Sequence, residues 1–424
     1  MCEPNVSNRG SSLLQTAEHN FSEAAKRLNL DEGLRGKILG PKERIELNLS
    51  PVLPGKGVRN IRAFVVRHND VLGPAKGGIR MTPDVTLDDV TGLAMEMTWK
   101  TSLIGVPFGG GKSGIRIDPG SLTPDEKEII IRSFTRGAMR HVGPEIYVPA
   151  PDMGTNELDM ARIRDCISYS EAVSITDGCY VTGKPVIMGG IAGRREATGK
   201  GVIYTVLAMC QQDKIPVEGL RVVVQGFGNV GSVAANDAAR HGAKIIAASD
   251  ITGAVANVDG LDVDALTRHV AATGGVKGAP GMAEIDPAAM LELECDVLIP
   301  AAAQSQLTGD NAERIAARII AEGANAPTTP EGDAILNRRG IHVIPDILCN
   351  AGGVFVSYLE YTQETQREQM TINEVESRLA ERMMSRFQDV YAQSQRDGLS
   401  MRDAAMNLAI SRVVEGVLAR GLLP

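Results

Sequence analysis

The stretch GLRVVVQGFGNVGSVAANDAARHGAKIIAASD, residues 219–250, decides the fold. It reads as a buried strand, a glycine turn, a helix of small residues and a second strand. The turn, Gly226-Phe227-Gly228-Asn229-Val230-Gly231, has the G-x-G-x-x-G spacing, and Asp250 ends the second strand about 20 residues on, as a dinucleotide fingerprint requires. Gly226 permits the tight turn, Gly228 lets backbone approach a pyrophosphate, and Gly231 lets helix and strand pack closely. The helix that follows offers unpaired N–H groups and the positive end of its dipole to phosphate. Asp250 is placed for the ribose hydroxyls and would repel a 2′-phosphate, which favours NAD over NADP.

Working outward, more apolar runs follow at 295–301, 317–325 and 340–346, alternating with helical patterns. That alternation predicts a parallel, doubly wound α/β sheet, with its ligand crevice at the carboxyl ends of the strands. Asn325 and Asn350 stand at two such ends and are candidates for the nicotinamide ribose or carboxamide. Residues from about 370 to 424 read as amphipathic helices. Before the fingerprint, residues 15–35 read as one helix, 59–70 as a strand, 86–105 as a helix capped by Thr86, 123–143 as a helix, and 145–156 as a strand running into a loop that carries Asp152.

GVPFGGGKSG, residues 105–114, imitates a phosphate-binding P-loop. The pattern demands a glycine six places before the lysine; Val106 stands there relative to Lys112, so the lysine needs another explanation.

Composition narrows the function classes. The chain has 424 residues, enough for two or three domains, and a net charge of −8 that argues against nonspecific nucleic-acid binding. No apolar run reaches the length of a membrane span. The N-terminal residues are polar without an apolar core, which predicts a cytoplasmic rather than a secreted protein. Six scattered cysteines, none in a C-x-x-C pair, predict a reducing compartment and no structural metal.

Seven motifs together carry a family resemblance: GPAKGGIR (73–80), MTWKTSLIGVPFGGGKSGI (97–115), VPAPDMGTN (148–156), GRREATGKGV (193–202), QGFGNVG (225–231), EGANAPTTPEGD (322–333) and PDILCNAGGVFVSYLEY (345–361). From about residue 50 to its end the chain resembles the glutamate/leucine/phenylalanine/valine dehydrogenase family, and most of all its glutamate-specific members. The resemblance implies reversible, NAD(P)-dependent oxidation of an amino acid, here glutamate, to a 2-oxo acid (2-oxoglutarate) and ammonium, in a homohexamer. It implies that Lys112 is the catalytic lysine, Asp152 the proton-transferring carboxylate, Lys100 the ligand of the substrate α-carboxylate, and Lys76 with Ser357 the ligands of the side-chain carboxylate. Thr198 corresponds to a contact of the nicotinamide amide, and Gly226, Gly228, Asn229, Val230, Gly231, Asp250, Asn325 and Asn350 complete the cofactor-binding set. The glycines around Lys112 then serve to bring its amine to the substrate carbon rather than to cradle phosphate. The loop PAAAQSQL departs from the family at Gln304, Ser305 and Gln306.

The expected architecture is therefore two α/β domains. Residues 1–187, joined by a terminal helix at about 400–424, form a substrate-binding and oligomerisation domain, and 188–400 a Rossmann-type dinucleotide domain, with the active site in the cleft between them. Two other readings stay open: a leucine, phenylalanine or valine dehydrogenase on the same scaffold, and a catalytically silent regulatory relative.

Overall fold

The computed structural model describes residues 13–171 and 178–421. The chain divides into two compact units, one made of the chain up to Ala192 with 357–371 and 406 onward, the other of 193–356 and 372–405.

The first unit begins with α1 (Leu13–Arg27) and α2 (Glu32–Leu39). The single helix expected over 15–35 is broken between them, where Asn29 takes a positive φ of 51° and Asp31 caps the new start by accepting from the Leu34 N–H. Asparagine tolerates that left-handed backbone better than most residues. Then come β1 (Glu43–Leu49), a small hairpin of β2 (Val52–Leu53) and β3 (Gly57–Val58), β4 (Ile61–Asn69), β5 (Ala75–Thr82), α3 (Leu87–Ile104), β6 (Gly109–Arg116), α4 (Pro124–Ala138), β7 (Tyr147–Pro151) and α5 (Glu157–Glu171). The main sheet has the order β1-β4-β6-β5-β7, and β5 runs parallel to both β6 and β7. Alternation along β4 separates two cores. Ala63 and Val65 join Ile130, Ile131, Phe134 and Met160 of α4 and α5 on one face. Phe64 and Val66 join Val90 and Ala94 of α3 on the other. Thr86 closes a capping box with Asp89 at the start of α3.

The second unit contains α6 (Ala197–Gln212), β8 (Arg221–Gln225), α7 (Gly231–Arg240), β9 (Lys244–Asp250), β10 (Gly253–Ala256), α8 (Val263–Thr273), β11 (Ala283–Ile285), α9 (Pro287–Leu291), β12 (Val297–Pro300), β13 (Ile319–Ala321), α10 (Pro330–Arg338), β14 (His342–Ile344) and α11 (Asp346–Cys349). Three helices follow: α12 (Gly352–Gln366), α13 (Ile372–Asp397) and α14 (Met401–Arg420). The sheet order is β11-β10-β9-β8-β12-β13-β14. The five neighbouring strands β9-β8-β12-β13-β14 run parallel, as expected of a Rossmann-type sheet. The expectation of a wholly parallel sheet is corrected at one edge, where β10 and β11 pair antiparallel. The two residues between Asp250 and Gly253 turn the chain straight back, too short a link for the crossover that a parallel partner needs.

Candidate active site

Register places the charged residues of the first unit on one face. Lys112 of β6 lies opposite Val66 of β4, and Lys76 of β5 opposite Gly110 of β6. Directly paired residues point to the same side of a sheet. Val66 belongs to the core under α3, so both lysines face that helix, which itself carries Lys100. All three lysines are buried, with 2%, 6% and 5% exposure for Lys76, Lys100 and Lys112. Such lysines are rare unless they are paired or put to use.

The glycines of the motifs are spatial requirements. A Cβ at Gly110 would lie 2.1 Å from the Thr98 hydroxyl oxygen and 2.3 Å from the Thr98 nitrogen, so only glycine lets α3 settle on β6. A Cβ at Gly78 would lie 2.7 Å from that of Asp152, so the bare position on β5 admits the aspartate at the end of β7.

Asp152 and Lys112 form an ion pair through Oδ2 and Nζ. The Asp152 backbone N–H donates to the Thr155 hydroxyl at 2.9 Å, and its Oδ1 accepts from the Met153 N–H at 2.6 Å. Arg80, four residues beyond Lys76 on the same face of β5, brings Nη2 to 3.9 Å from Asp152 Oδ1. Its Nε is buried and has no hydrogen-bond partner among the described residues. Burial pushes the Asp152 carboxyl up, but the charges of Lys112 and then Arg80 outweigh it and hold the group at about 2. Burial dominates at Lys112 and, with Arg80 and Lys100 adding repulsion, moves its amine down despite Asp152. The result is a carboxylate fixed in its charged form beside a lysine drawn towards neutrality, a pair suited to acid–base work.

Ser357 is buried on α12 at 1% exposure. One turn later, Glu360 Oε1 accepts from Lys184 Nζ at 2.8 Å and Oε2 from the Gly183 N–H at 2.8 Å. Lys184 Nζ also donates to Glu364 Oε2 at 2.9 Å and to the Val181 carbonyl at 2.6 Å. Burial opposes charge on Lys184, but Glu360 and its neighbours win and its amine is raised. This network pins the helix that presents Ser357. Neither it nor Arg80 stood out in the sequence. Arg80 lies inside GPAKGGIR, and its two-residue alternation with Lys76 and Gly78 was the available signal. Lys184 and Glu360 are 176 residues apart and gave none.

In the second unit the glycine turn joins β8 to α7. Gly226 has φ of 91°, and a Cβ on Gly231 would lie 1.7 Å from the Gly226 carbonyl oxygen. At Gly228 an added Cβ would meet nothing within 4 Å, and Gly228 and Asn229 are exposed. The turn therefore leaves open space at Gly228, just ahead of the α7 N-terminus. Val230 occupies the N-cap position of α7 without a side-chain cap. Asp250 ends β9. Its Oδ1 accepts from the Thr252 N–H at 2.8 Å and Oδ2 from the Val276 N–H at 2.9 Å, so it also holds its own loop. Thr198 lies in the first turn of α6, and its hydroxyl lies 2.5 Å from where a Cβ on Gly353 would stand. Asn350 Nδ2 donates to the Ala324 carbonyl at 3.0 Å and to Asn325 Oδ1 at 3.3 Å, which brings the two asparagines together. In the divergent loop, Gln306 Oε1 accepts from Gln225 Nε2 at 2.7 Å, tying the loop to the end of β8.

Comparison with known proteins agrees with this arrangement. The family model described as Glutamate/Leucine/Phenylalanine/Valine dehydrogenase matches residues 189–421, and that of the Glu/Leu/Phe/Val dehydrogenase dimerisation domain matches 41–169. The chain is 42% identical to a glutamate dehydrogenase of Thermotoga maritima over 97% of this chain and 99% of that one. It is 39% identical to the NAD-specific glutamate dehydrogenase A of Halobacterium salinarum over 97% and 94%. Among solved structures it resembles the hetero-hexameric glutamate dehydrogenase of Thermus thermophilus in its Leu-bound form, with a TM-score of 0.93 and 33% identity over the whole of both chains. The glutamate dehydrogenase of Peptoniphilus asaccharolyticus is similar with a TM-score of 0.85 and 33% identity, over 97% of this chain and all of the other. With both family models matched in order and the lysines and glycine turn seated in the corresponding units, the chain belongs to the glutamate/leucine/phenylalanine/valine dehydrogenase family.

Proposed function

We propose that this chain catalyses the reversible oxidative deamination of L-glutamate to 2-oxoglutarate and ammonium. The observation that carries the reading is the ion pair of the buried Lys112 with the half-buried Asp152, on a sheet face that also holds Lys76 and lies under the helix that carries Lys100. In this reading Lys100 binds the α-carboxylate. Lys76 and Ser357 bind the γ-carboxylate. Asp152 takes the proton from the substrate ammonium and later returns one to the leaving amine. Lys112, drawn towards neutrality, activates water for attack on the iminium carbon. NAD(P) supplies the hydride acceptor. The 226–231 turn holds its pyrophosphate, Asp250 its adenosine ribose, and Thr198, Asn325 and Asn350 its nicotinamide end.

NAD is the preferred cofactor in this proposal. Asp250 supports it, as does likeness to NAD-specific glutamate dehydrogenases from Halobacterium salinarum and Staphylococcus aureus. The break at Ala192/Gly193 supports assigning 1–187, with a terminal helix at about 400–424, to substrate binding and assembly, and 188–400 to the dinucleotide. A homohexamer is proposed from the matched dimerisation domain and likeness to a hexameric relative. Because that relative is hetero-hexameric, a second subunit type is the alternative. Among the described residues no helix is long and apolar enough to cross a membrane, and Cys166, Cys179, Cys210, Cys295 and Cys349 are free and buried. Free thiols fit a reducing compartment, and we place the enzyme in the cytoplasm.

The test is an amination assay of the purified chain with 2-oxoglutarate, 4-methyl-2-oxopentanoate and phenylpyruvate, with NADH and NADPH separately. Preferred turnover of 2-oxoglutarate with NADH supports the reading. Preference for either of the other acids, or no turnover with any, overturns it.

A further inference from the structure

Three acids in the motifs of the second unit have no part in the chemistry above: Glu322 and Asp333 of EGANAPTTPEGD, and Asp346 of PDILCN. They converge on one side chain, Arg402 in the first turn of α14. Its Nη2 donates to Glu322 Oε1 at 2.6 Å and its Nε to Asp333 Oδ1 at 3.0 Å, while Nη1 lies 3.6 Å from Asp346 Oδ1. Each guanidinium nitrogen thus addresses a different carboxylate. A planar fork can do this, whereas an ammonium is a single point charge. Glu322 is fully buried and Asp346 6% exposed, so without the arginine two carboxylates would face each other away from water.

The carboxylates in turn hold backbone. Glu322 Oε2 accepts from the Asp346 N–H at 2.8 Å. Asp346 Oδ2 accepts from the Ala326 N–H at 2.8 Å. Ala326 has φ of 45°, a left-handed conformation that disfavours an alanine and persists only where neighbours enforce it. Immediately before it stands Asn325, exposed after β13. Asn350 stands at the end of the short helix that Asp346 opens, and donates to the same loop. Arg402 therefore reaches the Asp346 backbone ahead of Asn350 through two hydrogen bonds, by way of Glu322, and the Ala326 N–H beside Asn325 through one more, from the Asp346 carboxylate that it also faces as an ion pair.

Sheet order identifies the end of the cofactor concerned. Asp250 ends β9, on one side of β8 and its glycine turn. The 323–326 loop follows β13, on the other side, beyond β12. A dinucleotide with its pyrophosphate at the turn and its adenosine at Asp250 extends its nicotinamide half towards β12 and β13. We propose that Arg402 is a positioning residue for the nicotinamide half of the dinucleotide site, acting through Glu322 and Asp346 on the loop of Asn325 and on Asn350. This rests on the reading that these asparagines serve the nicotinamide end.

The test compares two ligands of the purified full chain in its assembled state: NADH, and ADP-ribose, which lacks the nicotinamide. An arginine that merely ties α14 to its unit affects both alike. The positioning role predicts that Arg402→Lys weakens NADH by about tenfold or more, the scale of a lost charge-assisted hydrogen bond, while ADP-ribose affinity stays within about twofold. The KM for NADH rises in step. If Arg402→Lys yields no folded protein, Asp346→Ala carries the same test, because it removes the acceptor for the Ala326 N–H. Asn325→Ala is the control. A selective loss of NADH in the control, with equal loss or no loss of both ligands in the Arg402 and Asp346 variants, overturns the positioning role alone. An unselective control overturns the proposal together with the reading beneath it.

Discussion

Replacing Asp152 by asparagine removes one negative charge from between Lys112 and Arg80 and changes the side-chain volume hardly at all. In the parent, the carboxyl is held at about 2 against burial by those two cations. In the variant, burial, Arg80 and Lys100 all press Lys112 to give up its proton, and nothing opposes them. Breaking a buried pair from one side costs roughly 3–5 kcal/mol. Deprotonation sets a ceiling: holding a lysine of ordinary pKa neutral at pH 7 costs about 5 kcal/mol, and each further pH unit returns about 1.4 kcal/mol. A depressed lysine means that the folded state binds fewer protons than the unfolded one, so stability rises with pH across that window. Asp152→Asn is therefore expected to unfold in urea several kcal/mol below the parent at pH 7, with the gap closing towards pH 9. The parent has a dependence of the same sign in acid, which the variant does not share. Its depressed Asp152 contributes stability above the ordinary value of 3.8 and loses it as pH falls towards about 2, a loss the variant lacks at this position. Steady-state turnover should fall at least about a hundredfold, the scale of general acid–base help. Near-parental turnover would refute the catalytic assignment, and a gap constant from pH 7 to 9 would refute the electrostatic account of the pair.

Lys112→Ala should leave cofactor affinity intact and lower turnover at least about a hundredfold, read as kcat against NADH binding by fluorescence. Within the glycine turn two alanines should behave differently: Gly231→Ala, whose Cβ would sit 1.7 Å from a carbonyl oxygen, should disrupt the β8–α7 packing and lower Tm. Gly228→Ala, with open space around it, should keep the Tm and raise the Kd for NADH; equal Tm losses in both would contradict the phosphate role of the turn. For the cofactor, kcat/KM with NADH should exceed that with NADPH, and the reverse order would count against the role given to Asp250.

Much of this was legible because it is local. The strand, turn, helix and strand of residues 219–250 are consecutive, and Gly226, Gly228 and Gly231 mark the turn by their spacing alone. Thr86 and Asp89 announced the start of α3 for the same reason, since a capping box spans one turn. Lys112 and Asp152 were nameable through their motifs, but their contact depends on the β6-β5-β7 strand order, which no local pattern encodes. Arg80 was passed over because a charged residue near the end of a strand is ordinarily solvated. Arg402 was hidden more deeply: its three partners lie 56 or more residues away, and its helix shows only an amphipathic pattern. The break at Asn29 and the antiparallel edge of β10 and β11 were missed because one residue of unusual φ and a two-residue link carry little signal against longer apolar periodicities.

Substrate choice in this enzyme rests on Lys76, with Ser357, reading a side-chain carboxylate. The direct measurement is the ratio of kcat/KM for L-glutamate to that for L-leucine, taken in the parent and in Lys76→Leu. An isobutyl group offers the buried Lys76 ammonium nothing in return for lost water, whereas a γ-carboxylate offers an ion pair. Discrimination by a charged, hydrogen-bonded site can reach about ten-thousandfold, well beyond the roughly 10–200-fold that one methylene gives an apolar pocket. The parental ratio is expected to be at least about a thousand and to collapse in Lys76→Leu, chiefly through loss of activity on glutamate. A parent that oxidises leucine as efficiently as glutamate, or a variant that keeps the parental ratio, would contradict it.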